Sequence, residues 1–175
     1  GKTAHLAGCG QVFSSDVSIA RMRSWRQNRK RLSWKDVFPV AADSRRLPFT
    51  DPFEKVILDA PCSNTGVYRR RFDARWNWSA ELEDELVALQ RSMLLAAAEM
   101  VAPGGILVYS TCSMEPEENQ LQAEFFQSET TGFKPIPFPG PGELVDSMGY
   151  LSYFPPEAGI DGLFACAWRR EGQLE

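Results

Sequence analysis

The chain has 175 residues, of which 43% are hydrophobic and 24% charged, a composition typical of one globular domain with a sizeable core. It holds neither an apolar run of about 18 residues nor a secretory signal, so we predict a cytoplasmic protein that does not cross a membrane. The net charge of −4 argues against a dedicated nucleic-acid-binding module, since such modules are usually basic.

Helix and strand patterns alternate along the chain. In order, the predicted elements are a helix at 2–8, a strand at 11–15, a helix at 18–31, a strand at 37–42, a buried strand at 55–59, a helix at 79–102, a buried strand at 106–109, a helix at 116–127, an extended connection at 133–142 and a last strand at 163–168. Ser79 is the predicted N-cap of the long helix, and Pro103 with two following glycines is predicted to stop it. This alternation predicts an α/β fold with a doubly wound, mostly parallel sheet.

Acidic residues follow three of the early strands, at Asp16, Asp43 and Asp59. Ligands of doubly wound sheets bind at the carboxyl ends of the strands, where an acid can accept hydrogen bonds from ribose hydroxyls. Asp16 fits that role, and Asp43 fits a second contact to an adenine. Aspartate is also a common turn residue, which is the better explanation for any one of the three alone. Together with the Gly-Lys-Thr sequence at 1–3, the three acids favour a nucleotide-like cofactor.

Two of the four cysteines lie at the same offset, three residues past a predicted buried strand: Cys62 and Cys112. Cys112 precedes a predicted helix start, where backbone N–H groups lower a thiol pKa and make a thiolate nucleophile. The alternative is a small buried apolar side chain, to which we assign Cys9 and Cys166. With one histidine and no C-x-x-C pair, we expect no metal site, and without an export signal we expect free thiols.

Basic residues concentrate in two segments, which suits a polyanion on one face of an acidic protein. Residues 21–31 hold six of the 19 basic side chains, and residues 69–75 hold four. The second segment also carries aromatic residues able to stack on exposed bases, although core packing explains some of them equally well. Those aromatic residues are Tyr68, Phe72, Trp76 and Trp78.

Two motifs carry a resemblance to a known family. Residues 59–66 (DAPCSNTG) resemble the DAPCSGTG motif of the RNA 5-methylcytosine methyltransferases, the Sun/RsmB-like family, and residues 109–119 (YSTCSMEPEEN) resemble its YSTCS…PEEN motif. Residues 161–165 (DGLFA) resemble its closing DGFF-A strand, residues 75–76 and 89–91 match the intervening pattern, and residues 1–3 are similar to the end of its AAPGGKT loop. The resemblance covers essentially the whole chain in the right order, and Asn64 stands where the family commonly has glycine.

The resemblance implies a Rossmann-like class I methyltransferase fold that uses S-adenosylmethionine to methylate carbon 5 of a cytosine in rRNA or tRNA. It implies that Cys112 attacks carbon 6 of the base and that Cys62 assists the later proton removal and release. DNA cytosine methyltransferases also use a Pro-Cys motif, which makes Cys62 the rival nucleophile. Asp59 is implied at the target cytosine or at the reactive end of the cofactor. The implied cofactor contacts are Gly1, Lys2, Asp16, Asp43 and Asp59.

By the same resemblance, residues 1–175 form a single catalytic domain that lacks its first strand and half of its cofactor loop. That strand would be central, so the strands ending at Asp16 and Asp59 would lack a shared neighbour, which is costly for buried backbone groups. Two alternatives stay open. One is an inactive fragment that keeps the fold and RNA affinity, and the other is a P-loop nucleotide hydrolase, which residues 1–3 match but which leaves both cysteine motifs unexplained.

Overall fold

A computed structural model of the chain describes residues 2–153 and 160–172. The chain forms two compact units, Gly1–Pro48 and Phe49–Glu175. The prediction of a single catalytic domain without its first strand is not tested by this division and stays a prediction.

The first unit is a strand–helix–strand arrangement preceded by a short helix. Its elements are α1 (Lys2–Leu6), β1 (Val12–Asp16), α2 (Ile19–Arg31) and β2 (Val37–Ala41). β1 and β2 pair in parallel, and the register partners Phe13 and Phe38 stack with ring centroids 5.3 Å apart. Ser18 caps α2 by accepting a hydrogen bond from the Arg21 amide. All four predicted elements of this unit are confirmed, with ends that differ by at most a few residues.

The second unit is built on a five-stranded sheet in the order β3-β4-β7-β5, with β6 also paired to β7. β3 and β4 are parallel, whereas β7 is antiparallel to β4, β5 and β6. Its elements are β3 (Phe53–Asp59), α3 (Ala74–Asn77), α4 (Ala80–Glu99), β4 (Val101–Thr111), α5 (Gln120–Glu129), β5 (Phe133–Ile136), β6 (Leu151–Tyr153) and β7 (Leu163–Arg170), with 3-10 turns at Thr65–Val67, Pro116–Glu118 and Gly142–Leu144.

The core of this unit lies between α4, α5 and the sheet. The Ser79 hydroxyl accepts from the Leu82 amide at 3.2 Å and begins α4, as predicted. Leu94 on α4, Leu107 on β4 and Trp168 on β7 are fully buried in one cluster. Burying a leucine side chain contributes about 1.5–3 kcal/mol, so this cluster fixes the helix on the sheet.

Several boundaries differ from the predictions. α4 ends at Glu99, and the Pro103-Gly104 stretch is an irregularity inside β4, where the pairing shifts from Phe53–Val101 to Lys55–Ile106. The predicted helix at 116–127 begins as a 3-10 turn and continues as α5 after a break at Asn119. The predicted connection at 133–142 contains β5, whose Pro135 is tolerated because the strand lies at the sheet edge.

Two predictions about burial are wrong. Cys9 is exposed, whereas Cys166 is fully buried as predicted. Ile57 in β3 is 43% exposed, because successive side chains of a strand point to opposite faces and Ile57 lies on the face opposite the buried Leu58. The strand is therefore only partly buried.

Candidate active site: two thiols between parallel strand ends

The two predicted catalytic cysteines meet. Cys62 follows β3 and Cys112 follows β4, and these parallel neighbours bring Asp59 opposite Ser110 in register. The Sγ atoms of Cys62 and Cys112 lie 3.4 Å apart. A disulfide bond is about 2.05 Å long, so these are two free thiols in contact, as the sequence predicted.

Asn64 touches both cysteines. The Cys112 thiol donates to Asn64 Oδ1 at 3.3 Å, and Asn64 Nδ2 donates to the Cys62 carbonyl at 2.8 Å. Asn64 adopts a left-handed backbone conformation with φ of 63°. Asparagine tolerates this conformation better than most residues, which explains how it replaces glycine at this turn.

The environments of the two thiols differ. Cys62 is buried, and its hydrogen bond with Cys112, followed by its burial, raises the pKa of its thiol well above the usual range. Hydrogen bonds from the Asn64 and Cys112 amides act in the opposite direction and are the smaller effect. Cys112 is half-buried. The Cys62 thiol is therefore harder to ionise than a free thiol, while Cys112 is the more accessible of the two.

A buried carboxylate holds the Cys62 loop. Glu118 has no exposed surface, and its carboxylate accepts from the Ser63 amide at 2.9 Å and from the Ser63 hydroxyl at 2.5 Å. Gln90 on α4 donates from Nε2 both to Glu118 Oε1 at 2.9 Å and to the Pro61 carbonyl at 2.8 Å. Both residues that flank Cys62 are thus tied to this pair of side chains.

Asn119, the residue after Glu118, holds the Cys112 loop by similar hydrogen bonds. Asn119 accepts from the Thr111 hydroxyl at 2.5 Å and donates from Nδ2 to the Ser113 carbonyl at 3.0 Å. Thr111 and Ser113 flank Cys112. Glu118 and Asn119 are consecutive in sequence, so one short segment, together with Gln90, holds the residues on both sides of each thiol.

Gly66 joins a third motif to the site. Its amide donates to the Cys112 carbonyl at 3.0 Å, and its carbonyl accepts from the Gly162 amide at 2.8 Å. A Cβ at Gly66 would lie 2.6 Å from the Cys112 carbonyl oxygen and 2.8 Å from Gly162 Cα. The backbone contacts therefore require glycine here, and they bring together the segments 59–66, 109–119 and 161–165.

Asp59 lies in the same unit as the thiols. It is exposed at the end of β3, and Ser110 donates a long hydrogen bond of 3.5 Å to its Oδ1. Its position at the carboxyl end of a strand is the one predicted from the sequence.

The other predicted cofactor residues belong to the first unit. Asp16 accepts from the Ser18 amide at 2.7 Å and pairs with Arg21 at 3.0 Å. Asp43 is paired with Arg45, whose hydrogen bonds lower the pKa of the Asp43 carboxyl to about 2. Lys2 is exposed at the start of α1, and Gly1 lies outside the described residues. Asp16 thus ends β1 and Asp43 lies two residues past β2, at the strand ends where the sequence predicted them.

Sequence reasoning gave no role to Glu118, Asn119 or Gln90. The sequence could have indicated a role for Gln90, which lies one helical turn from Leu86 and from Leu94 on the buried side of α4. A polar residue in such a position needs a hydrogen-bond partner. Glu118 and Asn119 lie inside the quoted motif, but neither residue type nor spacing indicates which main-chain groups they bind.

Three carboxylates beside the site form a surface cluster. The side-chain oxygens of Glu83, Glu115 and Glu117 lie within 4.8 Å of one another. Burial, and then the neighbouring acids, raise the pKa of Glu83. Exposed acidic groups of this kind are common without an ion, and the expectation of no metal site stays a prediction.

None of the helices in the described residues has the length and apolar character needed to span a bilayer.

Comparison with known proteins identifies the family of the chain. Residues 1–169 match the family described as 16S rRNA methyltransferase RsmB/F. The chain is 32% identical over 174 residues to ribosomal RNA small subunit methyltransferase F of Escherichia coli, covering 95% of this chain and 36% of the relative. It is 36% identical over 182 residues to ribosomal RNA small subunit methyltransferase B of Pasteurella multocida, covering 97% and 40%. The chain thus spans well under half the length of these curated relatives.

Comparison with solved structures supports the same family. The crystal structure of NSun6 from Pyrococcus horikoshii with SFG superposes with a TM-score of 0.81 at 31% identity, covering 97% of this chain and 45% of that one. The α/β, class I methyltransferase fold predicted from the sequence is confirmed, as is the family resemblance drawn from the two cysteine motifs. The chain belongs to the 16S rRNA methyltransferase RsmB/F family.

Proposed function

We propose that this chain carries the catalytic site of an S-adenosylmethionine-dependent methyltransferase that modifies carbon 5 of a cytosine in RNA. The observation that carries the proposal is the pair of free thiols 3.4 Å apart, after two parallel strands. The relatives are named as small-subunit rRNA methyltransferases, which favours rRNA over tRNA as the substrate. No feature of the site favours a P-loop hydrolase, since that reading leaves both thiols without a role.

Carbon 5 of cytosine is too weak a nucleophile to take a methyl group unaided. In the proposed reaction the Cys112 thiolate forms a bond to carbon 6, which makes carbon 5 electron-rich. S-adenosylmethionine, when bound, supplies the electrophilic methyl group. Once carbon 5 has bonded to that methyl group and the bond from the methyl group to the cofactor sulfur has broken, carbon 5 would lose its proton to a water molecule. That electron pair restores the ring double bond, and the bond between carbon 6 and sulfur breaks to return its electron pair to Cys112. Cys62 assists the proton removal and release.

The assignment of the two roles rests on the unequal environments of the thiols. A nucleophile must reach the base and be available as a thiolate, and Cys112 is the more accessible sulfur. Cys62 is buried with a raised pKa, so it suits a proton-transfer role better than a nucleophilic one. Asn64 keeps the Cys112 thiol directed toward the Cys62 loop.

Cofactor contacts are proposed for acids at the strand ends. A carboxylate offers about four acceptor positions, so Asp16, which accepts from Ser18 and Arg21, retains positions for cofactor hydroxyl groups. Asp43 accepts four hydrogen bonds from Arg45, so a cofactor contact there would replace some of them. Asp16 suits the ribose and Asp43 the adenine. Asp59 is proposed at the target base or at the reactive end of the cofactor. Gly1 and Lys2 complete the proposed contact set.

The segment after the Cys62 loop is proposed to bind the RNA. Trp76 is 87% exposed and Phe72 is 66% exposed, so both rings are available to stack on unpaired bases. The Arg75 guanidinium lies 5.7 Å from the Tyr68 ring centroid, which supports a stacked arrangement of cations and rings. The target cytosine must leave its base stack to reach a thiol. Cytoplasmic location, where such RNA is found, stays a prediction.

Single cysteine substitutions in the full-length protein test the chemistry. Incubation with unmodified 16S rRNA transcript and S-adenosylmethionine should give no covalent protein–RNA adduct for Cys112→Ala and an accumulated adduct for Cys62→Ala, each seen on a denaturing gel. Cys9→Ala is the control, because Cys9 is an exposed residue of the other unit and should methylate RNA as the unmodified protein does. The opposite pattern would assign the nucleophile to Cys62. Absence of methyl transfer by the unmodified full-length protein would contradict the proposed activity.

A further inference from the structure

The first unit contains an open cavity, lined mainly by apolar surface and edged by basic side chains, that the proposed chemistry does not use. Its volume is about 650 Å³, and it lies at the carboxyl-terminal end of α2, between that helix and the start of β2. None of the residues that line it is acidic. They are Arg26, Gln27, Arg29, Lys30, Ser33, Trp34, Lys35 and Pro39.

The charge of this region is not balanced locally. α2 carries six basic side chains and no acidic one, on a chain whose net charge is −4. Basic residues in the last turn interact favourably with the helix dipole, which explains part of the pattern. Within the described residues, the ion pairs of the first unit involve Arg21 and Arg45, whereas Arg26, Lys30 and Lys35 form none. These three cations are exposed and available to a ligand.

One cation of the cavity is held in place by its neighbours. Arg29 donates from Nη2 to the Lys35 carbonyl at 3.0 Å, and its guanidinium lies 5.6 Å from the Phe38 ring centroid. Its Nε is buried without a hydrogen-bond partner in the described residues. A buried donor without a partner is unfavourable, so the contacts of the Nη2 atom and of the ring hold this guanidinium in place.

The helix end fixes the aromatic part of the cavity. Ser33 is left-handed, with φ of 55°, and the amides of Ser33 and Trp34 donate to the carbonyls of Lys30 and Arg29 at 3.3 and 3.1 Å. These two hydrogen bonds end the helix in a motif that usually has glycine at the left-handed position. The backbone of Ser33 is therefore somewhat strained. It turns Trp34 back toward the helix, where its ring lies 6.1 Å from that of Trp25.

We infer that this α2 cavity is a second RNA-binding site, which takes the phosphodiester backbone. Arginine and lysine bind phosphate, and a half-buried indole provides a surface for a base or sugar. α2 spans about 20 Å, so Ser33 and Trp34, which follow its last turn, lie well away from Asp16, which precedes its first turn. The site is therefore distinct from the proposed ribose contact. The inference rests on the proposed function in one respect only, namely that the polyanion is RNA.

Charge-matched double variants of the full-length protein test this inference. Arg26→Gln with Lys30→Gln removes two cavity cations, and Arg23→Gln with Arg31→Gln removes two cations from the same helix outside the cavity. Glutamine is a good helix former, so both variants should fold. Binding of a 16S rRNA transcript is measured across a salt series. We expect the cavity variant to reduce the slope of log K against log salt by about 2, since each phosphate contact contributes about 1. The control variant should change it by less than half as much.

The outcomes separate this inference from the proposed function. Equal losses in both variants, or no loss in either, would overturn the cavity as a site, even if the protein methylates the transcript. A cavity-dependent loss in a protein that transfers no methyl group would support the cavity and refute the proposed activity. Polyglutamate serves as a second probe: cavity-dependent binding of this acidic polypeptide without cavity-dependent binding of RNA would assign the site to a protein partner and overturn the inference.

Discussion

The thiol site and the acids at the ends of β1 and β2 are held in opposite ways. Ser63 and Glu118, which fix the Cys62 loop, are 55 positions apart in sequence and buried. Asp16 and Ser18 are two positions apart, and the Asp16 side chain is 26% exposed. The thiols therefore depend on the folded second unit for their positions, whereas each acid is placed by its own turn. Substitutions should cost far more in the first case than in the second.

The largest effect is expected for Glu118→Ala. The change leaves the Ser63 amide and one of the two N–H groups of Gln90 Nε2 buried without an acceptor, so the free energy of unfolding should fall by about 2–5 kcal/mol. Urea denaturation measures this difference. Glu117→Ala is the matched control, because the neighbouring Glu117 side chain is exposed and its loss should cost no more than about 0.5 kcal/mol. Equal losses at the two positions would show that the buried carboxylate does not hold the loops.

Gly66→Ala should have the next largest effect. The new methyl group would meet the Cys112 carbonyl and Gly162 Cα, which are backbone atoms and cannot move aside as a side chain would. We expect a loss of about 1–3 kcal/mol in the free energy of unfolding. Gly142→Ala, with no atom within 4 Å of the new Cβ, should be neutral or slightly stabilising. A neutral Gly66→Ala would mean that the loops at 66 and 112 separate easily, contrary to the close packing described.

The same contrast explains how far the sequence could predict the structure. The Asp16 turn and the Ser18 and Ser79 caps depend on neighbours in the chain, and the strand ends near Asp16, Asp43 and Asp59 were predictable for that reason. The approach of Cys62 to Cys112 was also predictable, because equal offsets past two parallel strands place residues at one sheet edge. The roles of Glu118 and Asn119 were not, since their partners are set by how α4, β3 and β4 pack.

The sheet shows a similar limit. β5 and β6 were missed because each becomes a strand only by pairing with β7, and their own sequences, with Pro135 in β5, do not favour a strand. The Pro103-Gly104 stretch resembles a helix stop, yet pairing with β3 extends β4 across it. The local sequence pattern predicted elements that are fixed by contacts between near neighbours in the chain. It failed for strands that form only by pairing with a distant strand.

The alkylation rates of Cys62 and Cys9 should also differ between the two units, without a change in stability. Cys62 is buried with a raised pKa and Cys9 is exposed, so iodoacetamide at pH 8 should alkylate Cys62 at least about tenfold more slowly than Cys9. Mass spectrometry of the peptides gives both rates in one sample. In Cys112→Ala the rate at Cys62 should rise, because the hydrogen bond with Cys112 is the largest cause of the raised pKa. A Cys62 rate equal to that of Cys9 in the unmodified protein would contradict the described burial.

The smallest effect is expected at Asp43, whose partner is two positions away and exposed. Its pKa of about 2, against 3.8 for the free side chain, reflects hydrogen bonds from Arg45. Because the folded pKa is the lower one, the unfolded chain binds more protons between about pH 4 and pH 2, so the contribution of Asp43 to stability is complete above about pH 4 and is lost as the pH falls toward 2. In Arg45→Gln the Asp43 carboxyl should titrate close to 3.8 in a carbon-13 NMR titration, with little change in stability at pH 7. An unchanged Asp43 pKa would mean that contacts from beyond its own turn set it, and the division between locally and distantly held groups would not apply to this acid.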